Sequence, residues 1–345
     1  MIGPQHARFC LSALILASIS AQATAADLFY TARRNSGVGR FAVTAGEGRG
    51  TLAPTTAYRE GFDDFVGLAA GPDRLLYVSS RYYDDSRFGR WGVFRFDPRT
   101  GDFLDSFVDG GPYYHIQFGP DGDLYGVAGF SDSLHRLDGE TGEFKGVVLD
   151  GNDFGFGGVG RFTIAPNGTL FAATDASSLA PYDAETGQRI GPITNLARLG
   201  LANYRYDAMA IGPNGSLYAA YNYSGRDQVL DGGVLRLDGA TGELLEVLID
   251  DIPAFGASNG GSLGLAFGPD GDLYVGSQHA SSIFRYDPTT GSLKETIPIP
   301  GGVTGASHVV FAAPEPGSAG LAWAVLQTVF TVRGRRLGDA RLATT

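Results

Sequence analysis

The sequence predicts an all-β fold, a six-bladed β-propeller of four-stranded blades, and three observations carry that prediction. Glycine is unusually abundant, one turn-rich apolar unit recurs along the chain, and the first unit lacks a strand that reappears near the C-terminal end.

Glycine accounts for 52 of 345 residues and proline for 17, with glycine at about twice its usual frequency. No G-X-Y period accompanies it, which excludes collagen, and 43% apolar with 12% aromatic residues excludes a disordered chain. A globular chain that turns this often favours many short strands over long helices. The net charge of −11 without a basic patch excludes a nucleic-acid binder, because phosphate neutralisation supplies most of that affinity. Lys145 and Lys294 are the only lysines among 26 basic residues.

An apolar strand, a turn and a Leu-aromatic pair recur from Val66, His115, Arg161, Ala208 and Gly264, and a sixth Leu-aromatic pair follows Asp27. The anchoring aromatics are Phe29, Tyr77, Tyr125, Phe171, Tyr218 and Tyr274, at intervals of 46 to 56 residues. A period in this range marks an array of supersecondary units. A second motif follows in each later unit, beginning at Arg95, Arg136, Pro181, Arg236 and Arg285. It alternates apolar and polar residues, breaks at a turn closed by Thr-Gly, and resumes as an apolar run, giving four strands, a to d, per unit. Gly122 and Gly271 suit positive φ in the a–b turns, and Asp121 or Asn214 can bond its own backbone there.

Four-stranded units packed radially make a propeller. Val309-Val310-Phe311 reads as the missing first strand, so residues 306–313 are expected to complete the blade begun by residues 27–56, closing the ring and covering an exposed edge. The segments Phe267-Gly268-Pro269-Asp270-Gly271-Asp272-Leu273-Tyr274 and Arg285-Tyr286-Asp287-Pro288-Thr289-Thr290-Gly291 resemble the repeats of the NHL, virginiamycin B lyase and gluconolactonase superfamily of six-bladed propellers. The resemblance extends over residues 26–313 and speaks to fold far more than to activity.

Residues 1–25 read as a secretory signal peptide: His6 and Arg8 precede an apolar run, and Ala23-Thr24-Ala25 is an A-x-A cleavage site. Cys10, the only cysteine, lies within it. Residues 314–345 form a tail in which Pro314-Glu315-Pro316 precedes an apolar run and then Arg333, Arg335 and Arg336. That order resembles the PEP-CTERM sorting signal. The resemblance implies an exosortase-type partner, transient membrane contact through the tail, export to the cell surface or exterior of a Gram-negative bacterium, and exopolysaccharide or an envelope protein as binding partner.

In this topology the b–c and d–a loops share one face, at the channel mouth, and they are long and rich in aromatic and hydrogen-bonding residues. Tyr82, Tyr83, Tyr114, Tyr204, Arg205, Tyr206 and Tyr223 are the candidate ligand-binding residues; rings packed between blades are the competing reading. Counting back three residues from the last apolar residue of each strand a gives Gly67, His115, Arg161, Ala208, Gly264 and His308. Tyr114, Asp207 and Ser307 lie one step further out. The superfamily resemblance implies a channel cation such as Ca²⁺ or Mg²⁺, for which His115, His308 and Asp207 are the alternative catalytic and metal-binding set. The primary expectation is a non-catalytic binding or matrix protein with no cofactor, its histidines bonded to water or to neighbours. The pairs Asp121/Asp123 and Asp270/Asp272 read as turn chemistry rather than a calcium loop.

Overall fold

A computed structural model describes residues 27–32, 38–42, 47–53, 62–82, 90–154, 158–175, 177–223, 232–252, 263–277, 282–299 and 306–311. The signal peptide, Tyr83 and the whole C-terminal tail with Pro314, Glu315, Pro316, Arg333, Arg335 and Arg336 lie outside them.

The described residues form six four-stranded antiparallel sheets, the blades of an all-β propeller. In chain order the strands of the first are β1 (Asp27–Ala32), β2 (Val38–Ala42) and β3 (Glu47–Ala53). The second holds β4 (Phe62–Ala70), β5 (Leu76–Tyr82), β6 (Arg90–Phe96) and β7 (Phe103–Asp109). The third holds β8 (Tyr113–Phe118), β9 (Leu124–Ala128), β10 (Ser133–Leu137) and β11 (Phe144–Leu149). The fourth holds β12 (Val159–Ile164), β13 (Thr169–Thr174), β14 (Ser178–Asp183) and β15 (Thr194–Asn195). The fifth holds β16 (Tyr204–Ile211), β17 (Leu217–Tyr223), β18 (Gly232–Leu237) and β19 (Leu244–Ile249). The sixth holds β20 (Leu263–Phe267), β21 (Leu273–Ser277), β22 (Ser282–Tyr286) and β23 (Leu293–Pro298). The last strand, β24 (Ala306–Phe311), pairs antiparallel with β1, placing Phe29 opposite Val310.

The recurring aromatic has a defined use. Tyr77 packs edge-on against Phe118 of the next blade, Tyr218 against Phe267, and Tyr274 against Phe311. Tyr125 and Ile164, and likewise Phe171 and Ile211, share clusters that span adjacent blades. The core is therefore a set of inter-blade interfaces, and the Leu-aromatic pairs of blades three to six each divide between two of them, the leucine packing toward the preceding blade and the aromatic toward the next. Glycine serves the same contacts where backbones crowd. A Cβ at Gly67 would sit 2.9 Å from the Tyr113 carbonyl oxygen, and one at Gly264 would sit 2.8 Å from Val309.

The a–b turns bear out the reading of their carboxylates as turn chemistry. Asp121 Oδ1 accepts from the Asp123 amide at 3.2 Å, while its other oxygen accepts from the Tyr125 hydroxyl at 2.8 Å. Asp73 with Tyr77 and Asp270 with Tyr274 repeat the arrangement. In the c–d turns Asp97, Asp138, Asp183, Asp238 and Asp287 accept amides two and three residues on. The glycine that ends each of these turns has positive φ.

Both lysines sit at one equivalent place. Asp123 and Asp272 are buried, at 6% and 5% exposure, and an uncompensated buried carboxylate is costly. Arg136 and Lys145 reach Asp123 at 2.6 and 2.9 Å, while Arg285 and Lys294 reach Asp272 at 2.7 and 2.6 Å. Where strand b lacks this aspartate, strand d supplies the acid to the strand-c arginine, as Asp105 does for Arg95 and Glu246 for Arg236.

The fourth blade departs from the expected pattern. Its outer strand is only Thr194–Asn195 and runs into a short 3-10 helix, Leu196–Leu199. Pro192 has no N–H to donate to a ladder and interrupts the run that would have formed a longer strand.

Two stability outcomes are expected. Arg74 holds φ at 70°, where Gly122 and Gly271 stand in the equivalent turns, so Arg74→Gly should gain about 1 kcal/mol in urea unfolding through relief of left-handed strain. Asp123→Ala should cost about 1–2 kcal/mol, the loss being limited by the partial exposure of Arg136 and Lys145; an unchanged midpoint would remove the clamp from the energetics.

Candidate functional site

The innermost strands are β24, β4, β8, β12, β16 and β20, and each touches the next. Five of them carry a register irregularity near their entry to the sheet. Tyr114 and His115 bulge between Tyr113 and Ile116, Gly160 between Val159 and Arg161, Asp207 between Tyr206 and Ala208, and Ser307 between Ala306 and His308; β4 is irregular between Asp63 and Gly67. A bulge re-aims side chains, and here it falls at Tyr114, His115 and Asp207.

The His115 and His308 rings lie 6.1 Å apart between centroids. Blade two contributes only Gly67 at the corresponding position, which leaves room for this approach. The His115 ring also packs edge-on against Phe162 at 4.8 Å and bonds the Phe162 backbone, while His308 bonds the Tyr114 backbone. Removal from water, and then the Arg161 charge, hold both histidines neutral: His308 falls to about 3 and His115 well below the usual value, with His308 adding to the latter.

Arg161 links these histidines to the fifth blade. Its Nε donates to the Asp207 carbonyl at 2.7 Å, and its guanidinium lies 3.7 Å from the Asp207 carboxylate. Asn222 donates to that carboxylate at 3.1 Å and accepts from Arg205 at 3.1 Å. A polar chain thus runs Arg205, Asn222, Asp207, Arg161.

The structure brings His115 and His308 together and gives Asp207 to Arg161 and Asn222. Among the described residues no group of three His, Cys, Asp or Glu side chains could hold a metal ion. The donor set does not fit a divalent cation, because the charge facing both histidines is a guanidinium and the only carboxylate of the proposed set is already engaged by it.

The ligand-binding candidates divide. Tyr206 is 4% exposed, lies in the core between blades four and five, and donates its hydroxyl to the Thr194 carbonyl at 3.3 Å. It is a packing residue, which corrects the sequence expectation: the bulge at Asp207 sets its ring inward. The Tyr204 ring packs edge-on with Tyr221 and Tyr223 at 5.5 and 5.3 Å, leaving Tyr204 and Tyr223 half-buried. Arg205 turns to Asn222. The Tyr82 backbone pairs with Phe62 and Arg90, and its side chain lies outside the described residues.

Tyr114 remains open, at 40% exposure. It stands over Gly129, where a Cβ would come within 2.6 Å of the ring. Beside Gly129, Phe130 is 82% exposed, more than any other large apolar residue described. Its turn is pinned by Gly129 N–H to Pro112 O at 2.7 Å, Asp132 N–H to Ala128 O at 2.8 Å, and Val159 N–H to Asp132 O at 2.7 Å. Sequence reasoning missed Phe130; the available signal was a lone large apolar residue in a short polar b–c turn.

No protein-family model matches the sequence, and no curated protein matches it. Solved structures do resemble it. The chain is similar to a component of a nidogen/laminin complex (TM-score 0.55, 12% identity, 84% of this chain and 99% of that one). It is also similar to a protein of unknown function from Bacteroides caccae (TM-score 0.52, 12% identity, 84% and 99%). The WD40 β-propeller domain of Doa1 matches with a TM-score of 0.50 and 13% identity over 84% of this chain and 90% of that one. At these identities the likeness establishes the propeller fold alone.

The neutral histidines set a pH dependence. Unfolded histidine binds a proton below about pH 6.5 and the folded rings do not, so stability is full above that pH and falls as pH drops toward the folded values. At pH 5 His308 should cost about 2 kcal/mol, and His115 acts in the same direction. Urea unfolding at pH 7.5 and pH 5 should show the loss, and His115→Gln/His308→Gln should flatten it; equal wild-type stability at the two pH values would refute the assignment.

Proposed function

We propose that the six sheets form one six-bladed propeller closed by β24, and that it is an exported, surface-sorted, non-catalytic binding or matrix protein whose ligand is an envelope polysaccharide. Support for closure comes from the β24–β1 pairing and from the contacts of β24 with both β20 and β4. Support for export and sorting comes from the resemblance of residues 1–25 and 314–345 to a signal peptide and a PEP-CTERM tail; the implied exosortase-type partner acts on that tail.

One observation carries the binding assignment: Tyr114 on β8 and Phe130 on a hydrogen-bonded b–c turn are both exposed, and Gly129, next to Phe130, leaves the Tyr114 ring its seat. Rigid aromatic surfaces contribute large contact area at small entropic cost. A sugar ring can lay its C–H face on such rings while its hydroxyls meet polar neighbours.

Titration of the purified protein with polysaccharide extracted from a producing cell's envelope should give saturable binding that survives chelation. Tyr114→Ala and Phe130→Ala should each weaken it by about tenfold or more with little change in melting temperature. Binding only to an envelope protein would redirect the assignment to a protein partner. Lactone turnover abolished by chelation and by His115→Ala would replace it with the metal-dependent lactonase or lyase alternative. Mass spectrometry of the exported protein should show a shortened C-terminus; an intact Thr345 argues against sorting.

A further inference from the structure

The irregular outer edge of blade four encloses a cleft of about 520 Å³ lined by Ser178, Arg189, Pro192, Ile193, Asn195 and Arg198. It lies on the rim and is independent of the channel-mouth reading. We propose that it docks a peptide segment of a partner protein in which acidic and aliphatic side chains alternate, the carboxylates meeting Arg189 and Arg198 and an aliphatic side chain meeting Ile193.

Three observations support this. First, the edge is built rather than frayed. Ile190 N–H bonds Pro181 O at 3.0 Å, Leu196 N–H bonds Ser177 O at 3.0 Å, and Thr194 Oγ1 donates to Gly242 O of the next blade at 2.7 Å. The fully buried Leu196 anchors the segment in the core between blades four and five. Irregular structure on a rigid scaffold is where binding is usually carried.

Second, the two arginines are set apart from the others. The strand-c arginines of blades two, three, five and six, Arg95, Arg136, Arg236 and Arg285, bond carboxylates. Blade four has Pro181 at that position, opposite Phe171. Among the described residues no acidic side chain forms an ion pair with Arg189 or Arg198. The nearby Asp175 is engaged by the amides and hydroxyls of Ser177 and Ser178. In a chain of net charge −11, two cations sharing one cleft form a local complement to carboxylates.

Third, the lining distinguishes a peptide from an acidic sugar chain. No aromatic ring lines the cleft on which a sugar could stack. Ile193 lines it, and Ile190 and Leu199, next to the arginines in sequence, are exposed. Aliphatic and guanidinium groups together suit a polypeptide partner.

The test uses the full-length protein and a fluorescein-labelled peptide of three Glu-Ile repeats with blocked ends. Fluorescence polarisation should show saturable binding below about 1 mM, and Arg189→Glu/Arg198→Glu should weaken it by about tenfold or more. That variant should keep its melting temperature, since neither arginine holds a carboxylate among the described residues. If charge reversal unfolds the protein, Arg189→Gln/Arg198→Gln gives the same reading with a smaller loss, and Ile193→Asp reads the aliphatic contact. Absence of saturable binding, equal binding by the variants, or stronger binding of oligogalacturonate at the same arginines would overturn the proposal. Tyr114→Ala should leave peptide binding unchanged, so failure here and failure of the channel-mouth reading are separable.

Discussion

The packing of each blade's aromatic anchor against the next blade is the constraint on which the rest depends. A four-stranded sheet of this size has no interior of its own, and the hydrophobic clusters each span two neighbours. Edge-on aromatic pairs such as Tyr77–Phe118 and Tyr274–Phe311 add about 0.5–1.5 kcal/mol each beyond area burial. The latter pair joins the sixth blade to the strand that completes the first.

Once the anchor is fixed, the turn and the polar clamp follow. The tyrosine hydroxyl reaches back to Asp73, Asp121 or Asp270, so one side chain fills the core and fastens a turn. Where strand b begins with a buried aspartate, an arginine and a lysine neutralise it; where it does not, an acid on strand d balances the arginine. The scarcity of lysine thus acquires a structural meaning. Blade four abandons the clamp as a unit: Phe171 has no hydroxyl, Pro181 replaces the arginine and Pro192 stands just ahead of a two-residue outer strand. These coupled departures fit a blade whose rim serves something other than the repeat.

The channel obeys the same spatial logic. Glycines at positions 67 and 264 admit close strands, while His115, His308 and Arg161 fill the space this leaves. Arg161 bridges to Asp207, and Asp207 to Asn222, while Tyr114 and Phe130 stay exposed.

The sequence by itself determined the blade unit, its strands, the turn residues and the strand that pairs with β1, because each is written in local periodicity and turn chemistry that repeat along the chain. It also separated turn carboxylates from a calcium loop, since Asn and Ser replace Asp in other copies. Tertiary structure decided which way the mouth residues point. The bulges at His115 and Asp207 lie in the β8–β9 and β16–β17 hairpins and that at Ser307 in the long-range β1–β24 pair; packing of blade against blade then buries Tyr206 and leaves Tyr114 exposed, although both lie near the start of a first strand. It likewise decided that Arg161 faces the histidines, that Phe130 stands free, and that Arg189 and Arg198 share one cleft. Repetition predicts what is common to every blade; the candidate functional residues belong to the places where neighbouring blades differ.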